Sequence, residues 1–561
     1  MTKKSTRSLA ALDELKRQFG DGDAKLLRAL NNLSTSKLAD AESLIRLHET
    51  LLFLRAYPQG ARVLKLVDQI LKGFAKRVAQ LRETEADLSP LDEPKVSGIA
   101  GASVTSNFSC QIICWLVRKY PAQISIDWDW IESEDQLGAT LPRFLPLLAD
   151  DAMVEAHVPF REWLRKARGR KRELVWLIEQ FESLQISYKG KAELYESLKL
   201  HVTWEFGLAA SRSGMTSLRK KIFFHRQPLI KRREISLPAE LNGPTIPVEK
   251  LARAEGEKIL DMARETSAVR YRELHGFTHG NAARVLRAEL GRGTEVFVIG
   301  VPAEHRLPLR AYHAALILKN GVPVAYFEGL SIFERMESGF NLYYTFRDGE
   351  TAWLYARILH LMRQLLGVTV FSIDPYQVGH ENEEGIESGA FWFYRKLGFR
   401  PVRPDLMKLT LAEERKMAAD PWYRTSARTL RKLAAGNMLF ELAPNQAGAW
   451  DRFEVRNIGL AVQRRMAREF DGSAQRIRAH SIDAVSRTLG LAKSTASKSD
   501  GDLSLVLAMI PSLDKWSEQE KSLAARIISA KAGADEADYL TKMQKHASLR
   551  ASLIKFGSRN S

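Results

Sequence analysis

Apolar residues recur at helical spacing through the first 90 positions of the chain. Leu44, Leu47, Leu51, Leu52 and Leu54 share one stripe, and Val63, Leu66, Val67, Ile70, Leu71, Phe74 and Val78 form the next, so helices are expected on either side of Tyr57-Pro58. Pro90, Pro94, Gly98 and Gly101 then loosen the pattern and mark a boundary across 87–101. Helical spacing returns over 107–119 and 162–183. Between them Ile126, Trp128 and Trp130 alternate with Asp127 and Asp129, a pattern open to a half-buried strand or a helical turn. Pro228, Pro238, Pro244 and Pro247 thin out regular structure and place a second boundary within 235–248.

From position 248 the period changes. A helix carrying Leu251, Ile259, Leu260 and Met262 and another over 281–290 are expected to precede Gly291-Arg292-Gly293 and a strand at 295–299. Two apolar runs, 314–318 and 322–327, flank Lys319-Asn320-Gly321; Asn-Gly tolerates the positive φ of a tight turn, so the runs read as a hairpin. A third strand at 340–345, a helix at 353–366 and a strand at 368–373 complete an α/β layout. After Thr410 helices return, with a basic amphipathic stretch at 451–470 and a Ser/Lys/Asp-rich linker at 493–502. The breaks divide the chain into a helical region 1–90, a mostly helical region 91–235, an α/β region 248–412 and a helical, basic region 413–561.

Composition narrows the class. Of 561 residues 45% are hydrophobic, ample for real cores, and no run reaches the about 18 apolar residues of a membrane helix. Met1-Thr2-Lys3-Lys4 leads into a polar stretch unlike a signal peptide, and Cys110 and Cys114, the two cysteines, fall four apart on one helical face. They are expected as reduced thiols in a cytoplasmic protein. Lys and Arg outnumber Asp and Glu by 84 to 67, a net +17 that attracts anionic partners without naming them. The charge concentrates at 165–172 and 219–233, where Phe223, Phe224 and His225 interleave with basic residues.

The densest chemical signal is Ala390-Phe391-Trp392-Phe393-Tyr394-Arg395-Lys396-Leu397-Gly398-Phe399, a helical run ending in Tyr-x-Lys-x-Gly-Phe. Upstream, Arg347-Asp348-Gly349-Glu350-Thr351-Ala352 joins the third strand to a helix. A strand that runs straight into a helix leaves the first N–H groups unpaired, and these with the helix dipole favour an anion. In motif and element order, 248–412 resembles the GNAT superfamily of N-acyltransferases. The resemblance implies an α/β fold with a mixed sheet and flanking helices, using acetyl-CoA or another acyl-CoA as substrate and an amine as acceptor. It implies a pyrophosphate turn at Arg347, Asp348, Gly349, Glu350, Thr351 and Ala352, cofactor contacts at Asn382 and Ala390, and Tyr394 as the acid that protonates the departing thiolate. The family's turn reads Gln/Arg-x-x-Gly-x-Gly/Ala. Arg347 and Ala352 match its ends, but Glu350 stands at the inner glycine position, where a carboxylate opposes the phosphates unless it points away.

Attack on a thioester needs a neutral amine, and a carboxylate can take its proton. Glu328, at the end of the hairpin, is the first candidate, with Glu334, Glu383 and Glu384 also in range and none set apart by spacing. No metal site is expected: Asp127 with Asp129, and His275 with His279, each lack a further ligand. A different class of function is a catalytically inert GNAT-like module whose basic clusters hold nucleic acid or another acidic partner. The sequence does not indicate which amine accepts the acyl group.

Overall fold

A computed structural model of the chain describes residues 3–20, 23–130, 134–146, 151, 159–208, 221–442, 448–497 and 501–558. Three short strands, β1 (Ser103–Ser106), β2 (Ile124–Ile126) and β3 (Val202–Glu205), form a small antiparallel sheet with β3 in the middle. The large sheet comprises β4 (Val248–Lys250), β5 (Val285–Gly291), β6 (Thr294–Ile299), β7 (Ala311–Lys319), β8 (Val322–Ile332), β9 (Arg335–Leu342), β10 (Val370–Ile373), β11 (Arg400–Pro401) and β12 (Met438–Glu441). Its spatial order is β11-β12-β10-β9-β8-β7-β6-β5-β4, and β9 with β10 is the parallel pair in an otherwise antiparallel ladder. The protein is therefore a mixed α/β structure built on a mixed sheet.

All nine residues of β7 are buried, because helices cover both faces of the sheet at this point. Tyr312, Ala314, Leu316 and Leu318 join Ile259, Leu260 and Ala263 of the helix Arg253–Ala268 in one core. The alternate residues Ala311, Ala315 and Ile317 face the main core, as the two-residue period of a strand dictates. Asn320 (φ 47°) and Gly321 (φ 79°) both adopt left-handed backbone, so the β7–β8 turn is the tight hairpin that Asn-Gly encodes. The helix Thr351–Leu366 stops at Gly367, which takes the left-handed conformation at φ 69°.

Several elements differ from the sequence pattern. Residues 285–290, within the stretch expected as helix, form strand β5: Ala288 and Leu290 are buried while Glu289 is exposed, a period of two that pairs with β6. The third strand of the meander starts at Arg335 and ends at Leu342, ahead of 340–345, because Tyr344–Phe346 winds into a 3-10 turn. Strand β10 begins only at Val370, where the Thr369 and Val370 N–H groups both donate to Glu334 O (2.9 and 3.1 Å). The stretch 162–183 is two helices, Phe160–Ala167 and Glu173–Ser183, broken near Gly169 at φ 59°. Both readings of the Trp128 region hold in part, since β2 is followed by a 3-10 turn at Trp128–Trp130. Strand β12 lies within the stretch expected to be helical, and the 493–502 linker contains the helix Lys493–Ala496. No helix among the described residues is long and apolar enough to cross a membrane.

Candidate functional site

Strands β9 and β10 hold each other over only three residue pairs, ending at Glu337 with Ser372. Beyond that point β9 stays on β8 as far as Leu342, while the chain after β10 turns away at Asp374, whose carboxylate accepts from the Tyr376 N–H (2.9 Å). The parted strands open a cleft of about 720 Å³. Phe340, Asn341 and Leu342 form one wall, the helix Ala390–Arg395 another, and the first residues of Thr351–Leu366 close the end. Of the ten site residues named from sequence, eight line this cleft: Arg347, Asp348, Gly349, Thr351, Ala352, Asn382, Ala390 and Tyr394.

Glu350 and Glu328 lie elsewhere. The Glu350 side chain turns away from the cleft and is fully buried, with Lys319 Nζ donating to Oε2 (2.8 Å), the Ile230 N–H donating to Oε1 (3.2 Å) and Arg292 also donating to Oε1. Burial alone would raise its pKa, but Lys319 and Arg292 prevail and hold it below the usual carboxylate range. Burial pulls Lys319 down to about 8 against the attraction of Glu350. The carboxylate that the sequence placed against the phosphate turn is thus spent on the interior, and its own N–H donates to Tyr57 Oη (3.4 Å). Gly349 is glycine for a packing reason: a Cβ there would stand 2.3 Å from Tyr57 Oη.

Tyr394 is 3% exposed and packs edge-on against Tyr355, Phe393 and Phe399. Burial pushes its phenol pKa well up, and its hydroxyl has no hydrogen-bond partner among the described residues. Asn382 caps the short helix Glu383–Glu387: its Oδ1 accepts from the Gly385 N–H (3.3 Å) and its Nδ2 donates to Tyr376 O (2.9 Å). Its polar atoms are therefore occupied within the chain. Arg347 lies over the Tyr344 ring at 3.8 Å and pairs with Glu384, which also binds Arg272 (2.7 Å). Asp348 is met by Lys16 and Arg17, each at 3.5 Å.

Glu328 opposes Gly339 across the β8–β9 ladder and lines a second, small cavity of about 130 Å³ with Tyr312, Glu337, Asp374 and Gln377. Gln377 also lines the large cleft, so it borders both cavities. Burial raises the Glu328 pKa, opposed by the hydrogen bond from Tyr312 Oη and by His275. The remaining acids have other work. Glu334 binds Trp450 Nε1 (2.8 Å) and Arg550, and Glu383 pairs with Arg431 at 2.9 Å on the surface.

His275 and His279 approach to 4.9 Å between ring centroids, but His275 Nε2 contacts His305 O (2.7 Å), and no metal-ligand group of three or more occurs among the described residues. In the 165–172 cluster Arg165 and Arg168 share Glu173, Lys166 meets Glu162 and Lys171 meets Glu179, so much of that charge is already answered. Arg219 and Lys220 lie outside the described residues. Sequence reasoning missed Arg17, Phe19, Arg272 and Tyr326, which also line the large cleft, as does Arg232 from the basic cluster at 219–233. They come from segments up to hundreds of positions away, and no local pattern joins them. No family model, curated protein or solved structure matches the chain.

Proposed function

We propose that the chain is a GNAT-like N-acyltransferase that moves an acyl group from an acyl-CoA to an amine. The observation that carries this reading is the cleft between the parted β9 and β10, which is lined both by the first residues of the helix Thr351–Leu366 and by Tyr394. An acyl-CoA in the cleft would set its diphosphate against the Thr351–Ala352 backbone at the start of the helix, where the first-turn N–H groups and the helix dipole favour an anion. The inward-turned Glu350 removes the repulsion that its sequence position raised. Ala390 leaves room for a narrow pantetheine arm, and Asn382 shapes the wall as a helix cap.

The amine would enter through the cavity of Glu328, which takes a proton from the attacking nitrogen. The C–N bond forms as the C–S bond breaks, and Tyr394, kept protonated by burial, delivers its proton to the leaving thiolate. The test is Tyr394→Phe in the full-length protein, followed by release of free CoA thiol in the presence of an amine panel. Turnover falls by roughly 10² to 10⁴, the worth of a positioned acid, while acyl-CoA affinity is kept. Unchanged turnover would remove Tyr394 from the reaction; no amine-dependent thiol release in the wild type would favour an inert binding module.

A further inference from the structure

A second cavity, of about 770 Å³, lies between the 91–235 region and the α/β region and shares no lining residue with the large cleft. Both cysteines of the chain line it, from the helix Cys110–Lys119. Four positions apart on a helix, they share a face with Cβ atoms about 5–6 Å apart, so one ion can reach both sulfurs. Cys110 is the first residue of that helix, which Ser109 caps by accepting from the Ile112 N–H (3.4 Å). Its sulfur therefore sits at the positive end of the helix dipole, where a thiolate is favoured. The Cys114 S–H donates to the Cys110 sulfur and holds the Cys110 thiol below its usual range, although burial, Glu196 and Glu182 act the other way. Arg118 and Lys119 are exposed and Tyr188 is 51% exposed, so the cavity reaches the surface.

The oxygen donors of the cavity wall are engaged. Asp261 accepts from Trp115 Nε1 (2.9 Å) and pairs with Lys119 and with Arg264 (3.8 Å), and Glu257 pairs with Arg264 (3.3 Å). Hard cations want about six or more oxygen ligands, which these acids do not supply. Zinc wants a tetrahedral set, and no metal-ligand group of three or more occurs among the described residues. Two sulfurs suit instead a soft d10 cation that is content with two ligands in line, Cu(I) above all. The cysteines bind as thiolates, so the protons they carry leave to water and no electron moves. The Cys–Cu–Cys unit then bears one net negative charge, and Arg118 and Lys191 border the same cavity to meet it.

We propose that Cys110 and Cys114 form a two-coordinate site for a soft monovalent cation, Cu(I), in the cavity between the helical 91–235 region and the α/β region. The site stands apart from the acyl-transfer reading. Its test is anaerobic titration of the reduced, full-length protein with Cu(I) held in a coloured bathocuproine disulfonate complex, whose absorbance falls as the ion passes to the protein. One Cu(I) per chain is withdrawn, and X-ray absorption of the product shows two sulfur neighbours. Cys110→Ser and Cys114→Ser each lower the affinity at least about a hundredfold, since one of two ligands is lost. The X-ray measurement uses the unsubstituted protein, so it decides the matter even if Cys110→Ser, a change at a buried residue, fails to fold. No transfer of Cu(I) to the wild type, nitrogen or oxygen neighbours in place of sulfur, or unchanged affinity in either variant overturns the inference. Zn(II) held as tightly as Cu(I) overturns it too. Each of these leaves the acyl-CoA reading of the large cleft untouched.

Discussion

In the proposed reaction Tyr394 gives a proton from the large cleft and Glu328 takes one in the small cavity, and Gln377 lines both. Their environments suit opposite roles. Burial keeps the Tyr394 phenol protonated, and burial also raises the Glu328 carboxyl, bringing the base closer to neutral pH than an exposed acid would be. Because Glu328 accepts a proton only when ionised, kcat/KM should fall as pH drops through its raised pKa. That acid limb should lie above the range of an exposed carboxylate. Glu328→Gln abolishes the limb and lowers kcat by roughly 10² to 10⁴. A pH–rate profile of the variant that keeps the same acid limb would assign the base to another group.

At the scale of elements, Glu350 ties together pieces remote in sequence: Tyr57 from the N-terminal helices, Ile230, Arg292 after β5, and Lys319 at the end of β7. Removing one partner of a buried pair strands the other, so Glu350→Gln should destabilise the fold by about 3–5 kcal/mol, read as a lowered Tm. Glu350→Gln/Lys319→Met, which removes both charges, should recover much of the loss. A double variant no more stable than Glu350→Gln would show that the pair is not the source. Since Glu350 has a depressed folded pKa, its contribution is present above the unfolded value and lost as pH falls through the folded one.

These same contacts explain what the sequence could and could not tell. The hairpin at Asn320-Gly321 and the helix end at Gly367 were legible because local backbone chemistry decides them. The helix expected at 281–290 failed because a seven-residue strand offers too few repeats to separate a period of two from 3.6. At the turn, Arg347 to Ala352 could be placed beside the cleft, yet Gly349 and Glu350 answer to Tyr57 and Lys319, long-range partners that no local motif records.

For the whole molecule, the cleft is not closed by the 248–412 stretch alone. Arg17 and Phe19, from the connection after the first helix (Lys3–Leu15), and the segment 228–232 complete its walls, and the C-terminal helices brace the sheet behind it through Tyr539 Oη to Leu309 O (2.7 Å) and Gln544 Nε2 to Phe333 O (3.0 Å). Binding in the cleft should therefore require the full chain. The central claim, that this cleft holds an acyl-CoA, is tested most directly by calorimetric titration of the full-length protein with acetyl-CoA beside the variant Ala390→Trp, whose indole fills the space next to Tyr394. We predict one site per chain in the wild type and affinity lowered at least about tenfold in the variant, with its thermal transition unchanged. Absence of binding by the wild type, or equal affinity in the plugged variant, would contradict the account.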